Sequence, residues 1–166
     1  MNSITLLVLG VGTVGGEVVR QAVGQRTRWR EQLDLDVVVG GVAGRAGALV
    51  ADDEAGLPEE RLAQFVDARR RAGAFEEALG ASDRLQPAAA AIDVLVRRGA
   101  LIVVDAAAGE ITAELDARAL DQGAGVVLSN KAPLALPHDD PRGRTLWAAA
   151  GAGGRLRYEA TCGAGL

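Results

Sequence analysis

Short apolar runs alternate along this chain with stretches of helical periodicity. Ile4-Thr-Leu-Leu-Val-Leu9 is a run of strand length with almost no polar interruption, the pattern of a strand covered on both faces. Gly10-Val-Gly12-Thr-Val-Gly15-Gly16 follows at once, and Val14, Val18 and Ala22 then recur at helical spacing. The opening therefore reads as strand, glycine turn and helix. Further strands are predicted over Asp36–Val42, Leu101–Val104, Ala124–Leu128 and Arg155–Ala160, and each gap is long enough for a crossover helix.

Between Gly44 and Gly99 the pattern is hardest to read. Pro58 followed by Glu59 and Glu60 marks a first helical turn, where proline loses no hydrogen bond and acids face the positive end of the helix dipole. Leu62, Phe65 and Val66 form its apolar stripe, and Gly73 lies near its end. Ala88–Arg98 predicts another helix with Ile92, Leu95 and Val96 inward, and Thr112–Gln122 predicts the helix after the third strand. The alternation implies an α/β fold: a Rossmann-like, doubly wound, mostly parallel sheet with helices on both faces. At 166 residues, one domain spanning 1–166 is expected.

Composition narrows the class. Hydrophobic residues at 49% and charged residues at 24% exclude global disorder. A net charge of -4 argues against a nucleic-acid-binding surface, so Arg69, Arg70 and Arg71 read as a solvated helix face. One cysteine, Cys162, and one histidine, His138, exclude an internal disulfide framework and Cys- or His-rich zinc ligation. The run Ile4–Leu9 is too short for a signal-peptide core, and nothing later approaches a membrane span. A cytoplasmic protein with no membrane partner is the expectation.

A G-x-G-x-x-G pattern is weak evidence in a chain with 22 glycines, but here it follows a predicted strand and opens a predicted helix. In that setting Gly10 makes the tight turn, Gly12 lets the backbone approach a pyrophosphate, and Gly15 permits close helix–strand packing. Thr13 and Val14, at the helix start, belong to the same anion-binding N-terminus. The plainer alternative is a turn that serves packing alone. The adenosine ribose should lie at the tip of the second strand, where the sequence offers Val42-Ala43-Gly44-Arg45 and no carboxylate. An acid there favours NAD, whereas a cation can pair with the 2'-phosphate of NADP. NADP is preferred on this reading, with NAD as the alternative and a plain loop charge as the bland reading of Arg45.

Ligands of such sheets bind outside the carboxyl ends of the strands. Asp105, Ser129-Asn130-Lys131 and Glu159 all fall at that edge. Asp, Lys and Glu are rarely buried unpaired, so they serve a site or, alternatively, join in a salt bridge of Lys131 with Asp105 or Glu159. Lys131 stands out further as the single lysine among 18 basic side chains. A flexible, compact ammonium is not interchangeable with the planar guanidinium the chain uses everywhere else.

GVGTVGGE near the start, SNKAPLA in the middle and RYEATCGAGL at the end resemble, in that order, the cofactor domain of homoserine dehydrogenase. The resemblance covers nearly the whole chain and implies an oxidoreductase that interconverts L-homoserine and L-aspartate 4-semialdehyde with NAD(P)(H), on the path to threonine, methionine and isoleucine. It implies that Lys131 contacts cofactor or substrate at the nicotinamide end, with Ser129 beside it, and that Glu159 lies at the substrate; Lys131 and Glu159 are the candidate catalytic residues. It also implies a monovalent cation such as sodium held by main-chain carbonyls of Glu159, Cys162, Ala164 and Leu166. Two departures matter. The position two beyond Asp105, near the nicotinamide, is Ala107 where the family usually carries a hydroxyl residue, so one cofactor hydrogen bond is missing. The family's substrate and dimerisation domain, with a second lysine and an aspartate, is absent from this sequence. The expectation is therefore a cofactor-binding part, inactive in isolation and oligomeric only when that domain is present; a piece of a bifunctional aspartokinase/homoserine dehydrogenase is the second reading among enzymes. The alternative from another class is a stand-alone NADP(H)-binding or regulatory module without turnover.

Overall fold

The computed structural model describes residues 2–71, 75–151 and 154–162. Six strands form one sheet: β1 (Asn2–Leu9), β2 (Leu35–Gly44), β3 (Gly47–Val50), β4 (Leu101–Asp105), β5 (Gly125–Leu128) and β6 (Leu156–Arg157). Their order across the sheet is β3-β2-β1-β4-β5-β6. Every pairing is parallel except β2 with β3, which is antiparallel. The helices are α1 (Thr13–Leu33), α2 (Glu59–Arg70), α3 (Ala88–Arg98), α4 (Ala113–Asp121) and α5 (Pro141–Gly151). No described helix is long and apolar enough to cross a membrane.

Both faces of the sheet are covered, and β1 shows why its sequence is a continuous apolar run. Leu6 and Val8 point into a core shared with Val19 and Ala22 of α1 and with Leu62 and Phe65 of α2. Leu7 and Leu9 point to the opposite core, which holds Ala91, Ile92 and Leu95 of α3, Ala119 and Leu120 of α4, and Leu146 of α5. A strand alternates its side chains between faces, so a strand buried on both needs apolar residues at every position.

Asp36, buried at the start of β2, binds α1 to the sheet. Arg26 Nε and Arg30 Nη2 both donate to its carboxylate at 2.7 Å. These two guanidinium groups hold the Asp36 carboxyl far below the usual carboxylate range.

Several boundaries differ from the sequence pattern. The antiparallel edge strand β3 was not predicted, so the predicted third, fourth and fifth strands are β4, β5 and β6. Gly47-Ala-Leu-Val50 has no strand-like signal of its own and is held by its pairing with β2 and a bridge from Ala48 to Gln86. The predicted last strand, Arg155–Ala160, is reduced to Leu156–Arg157, because Thr161 N–H donates to Tyr158 O at 2.9 Å and closes a 3-10 turn over Glu159–Thr161. The helix predicted from Thr112 begins as a 3-10 turn over Glu110–Thr112, with α4 starting at Ala113. Helix α5 had no separate prediction. Val14, the first of the apolar residues that recur at helical spacing in the first helix, is 49% exposed. Gly73 lies outside the described residues.

Candidate functional site: a crevice at the carboxyl end of the sheet

From β1 the chain passes to β2 on one side, and the next parallel strand, β4, lies on the other. This reversal opens a crevice beyond the carboxyl ends of β1 and β4. The glycine turn enters it directly. Gly10 has φ +83, and a Cβ there would meet Ala107 Cα at 2.7 Å, so only glycine lets the turn pack against the loop after β4. A Cβ on Gly15 would meet Gly10 O at 2.0 Å, which keeps α1 close to the turn. Gly12 is different: a Cβ there would meet nothing within 4 Å. Packing alone explains Gly10 and Gly15 but not Gly12, whose open space is where a ligand would come up against the backbone.

Gly12 is also the N-cap of α1, and no side chain caps this end. The first turn contains no acidic residue. Thr13 and Val14 stand exposed in it, and the N-terminus of a 21-residue helix concentrates a partial positive charge and unpaired N–H groups. Such a helix end is able to take up an anion.

At the tip of β2 the chain reverses through Arg45 and Ala46 into β3, with Gly44 paired to Gly47. Arg45 is exposed and joins no ion pair among the described residues. Phe75 lies against Gly44, where a Cβ would meet its ring at 2.4 Å. Phe75 in turn stacks on Phe65 with ring centroids 4.9 Å apart, and the Arg61 guanidinium sits 4.6 Å above Phe65. Among the described residues, the tip of β2 thus carries Arg45, exposed and in no ion pair, close to an aromatic stack, and Val42–Arg45 itself contains no carboxylate.

At the other side of the crevice a buried polar network sets the loops. Asp105, fully buried at the end of β4, accepts hydrogen bonds from Ala107 N–H at 2.9 Å, Thr112 Oγ1 at 2.7 Å and Asn130 Nδ2 at 3.1 Å. Its main-chain oxygen accepts Ser129 N–H at 2.8 Å and Asn130 N–H at 3.2 Å. Asn130 Nδ2 also reaches Gly109 O at 2.7 Å, and Asn130 Oδ1 accepts Ala132 N–H at 3.2 Å. The loops after β4 and β5 are therefore stitched together through Asp105. Behind it, Asp116 of α4 is fully buried and neither of its oxygens has a hydrogen-bond donor. Its pKa is pushed up to about 9, first by burial and then by the charge of Asp105. The helix dipole opposes this with only about 0.3–1 kcal/mol for a charge in the first turn, so burial prevails.

The structure brings Gly10, Gly12, Thr13, Val14, Gly15 and Ala107 together at the crevice. Ser129 and Lys131 end β5, the neighbouring strand, and Lys131 is exposed at the start of a 3-10 turn over Ala132–Ala135. The salt-bridge alternative for Lys131 is not observed among the described residues: Asp105 is satisfied by neutral donors, and Glu159 Oε2 accepts Tyr158 N–H at 2.9 Å. Glu159 is exposed just after β6. Of the carbonyls expected at a cation, that of Glu159 accepts Cys162 N–H at 3.2 Å, Cys162 caps the turn, and Ala164 and Leu166 lie outside the described residues. Thr112, Asp116 and Asn130 were not singled out from the sequence. Asn130, between Ser129 and Lys131, was the one with a local signal, because a short amide at a strand end often bonds the neighbouring backbone.

A parallel sheet that reverses at β1 and β4, with an uncapped glycine-led helix aimed at the reversal, defines a dinucleotide-binding domain of the Rossmann type. The family model described as "Homoserine dehydrogenase, NAD binding domain" matches residues 10–159, and the chain belongs to that family. Solved structures agree in fold. A hyperthermophilic archaeal homoserine dehydrogenase in complex with NADPH is 18% identical with a TM-score of 0.66, covering 96% of this chain and 44% of that one. A putative homoserine dehydrogenase from Archaeoglobus fulgidus is 26% identical with a TM-score of 0.59, over 95% of this chain and 42% of its own. Homoserine dehydrogenase from S. aureus is 19% identical with a TM-score of 0.55, over the whole of this chain and 34% of that one. The chain thus spans less than half the length of each of these structures. No curated protein matches it in sequence.

Proposed function

We propose that this domain binds NADP(H) for an oxidoreductase that interconverts L-homoserine and L-aspartate 4-semialdehyde, a cytoplasmic step of amino-acid biosynthesis. The observation that carries the reading is the contrast within the glycine turn, where Gly10 and Gly15 are packed solid and Gly12 faces open space beneath an uncapped helix end. Residues of this chain fit the cofactor along the whole crevice. The N–H groups of Thr13 and Val14 would receive the pyrophosphate, and Arg45 would pair with the ribose 2'-phosphate. Ala107 and Ser129 would border the nicotinamide. Bound NADP(H) supplies or accepts the hydride. Lys131 supplies a mobile ammonium at that end, able to hold the substrate oxygen and to balance charge as it develops there. Glu159, just beyond β6, would orient the substrate.

The cofactor assignment is tested by calorimetric titration of the chain with NADPH and NADH. NADPH should bind more tightly, and Arg45→Ala should weaken NADPH alone by about 1–3 kcal/mol, the range of a charge-assisted hydrogen bond. Equal affinities that Arg45→Ala leaves unchanged would remove the NADP preference.

A further inference from the structure

The two buried carboxyl groups Asp105 and Asp116 do different work. Asp105 accepts from Ala107 N–H, Thr112 Oγ1 and Asn130 Nδ2, so both of its oxygens act as acceptors. Asp116 has no donor on either oxygen although it is fully buried. The charged group that acts on it is the Asp105 carboxylate. Two carboxylates cannot hydrogen-bond each other unless one carries a proton, and two adjacent buried charges repel. Of the charged groups on the packed elements, only Asp105 of β4 faces Asp116 among the described residues. Asp93 of α3 pairs with Arg118 of α4, Arg142 of α5 pairs with Asp140, and Glu110 and Glu114 are exposed. Among the described residues, no cation is in place to neutralise a second charge.

We infer that Asp116 is a positioning residue which stays protonated at neutral pH and donates to Asp105, so that the pair carries one shared charge and holds the two loops beside the nicotinamide end of the crevice. The geometry gives the route from proton to site. Asp105 anchors Ala107, against whose backbone Gly10 packs, and it anchors Ser129 and Asn130, which precede Lys131. Ionising Asp116 would set a second negative charge against the group that fixes both loops. In keeping with this, burial and the Asp105 charge raise its pKa to about 9. The consequence for cofactor rests on reading the crevice as the NADP(H) site, whereas the shared proton does not.

The test uses the chain with carbon-13 at its aspartate carboxyl carbons, the Asp116 resonance being assigned by its loss in Asp116→Asn. One resonance should keep the protonated chemical shift at pH 7 and move only above pH 8. In parallel, NADPH affinity of the parent should fall at least fivefold between pH 7.5 and 9.5. Asp116→Asn keeps an N–H donor without the charge, and its affinity should change less than twofold over that range. Asp116→Leu removes the donor and should bind weakly at every pH. An Asp116 resonance that titrates below pH 6 overturns the inference, and so does an Asp116→Asn protein that follows the parent's pH profile. If Asp116→Asn does not fold, the number of parent aspartate resonances still protonated at pH 7 decides: one supports the shared proton, none overturns it. If NADPH fails to bind at any pH while the resonance still moves above pH 8, the cofactor reading is lost and the shared proton stands.

Discussion

Two glycines two positions apart carry opposite burdens. Gly10 has positive φ and no room for a methyl group against Ala107, while Gly12 has room on every side. Gly10→Ala should therefore damage the fold itself, combining left-handed strain with a backbone clash and costing about 2–4 kcal/mol. Gly12→Ala should leave the thermal midpoint within about 1–2 °C of the parent, the spread expected of a substitution that touches nothing. It should nonetheless weaken NADPH at least tenfold, because the added methyl occupies the approach of the pyrophosphate. Thermal melts and calorimetry on the two variants separate these outcomes. A Gly12→Ala protein with undiminished NADPH affinity would mean that the open space at the turn is not where phosphate binds. The motif already assigned packing to Gly10 and Gly15 and ligand approach to Gly12; the structure adds the Ala107 backbone that closes the space at Gly10.

Among the elements, α1 is held at both ends by different means. Its first turn has no side-chain cap and packs through Gly15 against the glycine turn, while its C-terminal half is tied to the sheet by Asp36 with Arg26 and Arg30. Arg30 is 44% exposed by its side chain, so its share is screened by solvent and small. Asp36→Ala should cost about 1–2 kcal/mol, most of it from the more buried Arg26 contact. Chemical denaturation at pH 7 measures it. The depressed Asp36 pKa means that this contribution is present above the ordinary carboxylate pKa and is lost as pH falls through the folded value. The difference between parent and Asp36→Ala should accordingly shrink in acid. A gap that persists unchanged at pH 2 would assign the effect to packing rather than charge. Helix α1 and strand β2 were each predicted from pattern, but their link was not, since nothing local distinguishes Asp36 from Asp34.

Over the whole molecule, Asp36 and Asp116 pull the pH dependence of stability in opposite directions. Unfolded, Asp116 ionises near 3.8, while folded it keeps its proton up to about 9. Between these values the folded state binds more protons, so its stability falls as pH rises and is lost fully only beyond the folded pKa. A single such group gives about 1.4 kcal/mol per pH unit, or about 4 kcal/mol from pH 5 to 8. The thermal midpoint should then be highest near pH 5 and fall toward pH 9, with Asp116→Asn flattening the alkaline side. A profile that rises from pH 5 to 8 would contradict a protonated Asp116. Such opposed titrations arise because this domain buries an acid pair beneath its ligand edge, where cofactor loops need a rigid anchor.

Parts of the protein that obey local rules can be read along the chain. Apolar runs set the doubly covered strands β1 and β4, helical periodicity set α2 and α3, and strand followed by glycine turn followed by helix marked the cofactor end. The motifs at Gly10, Lys131 and Glu159 also carried the family resemblance that the match over residues 10–159 bears out. Tertiary structure alone decided the rest. Strand β3 exists only because β2 lies beside it, and the predicted strand at Arg155 is cut short by a turn that the pattern does not encode. Asp116 reads in the sequence as an ordinary first-turn acid of α4. It becomes a buried partner of Asp105 only when α4 docks behind β4, because burial is a property of everything packed around a residue and not of its neighbours along the chain.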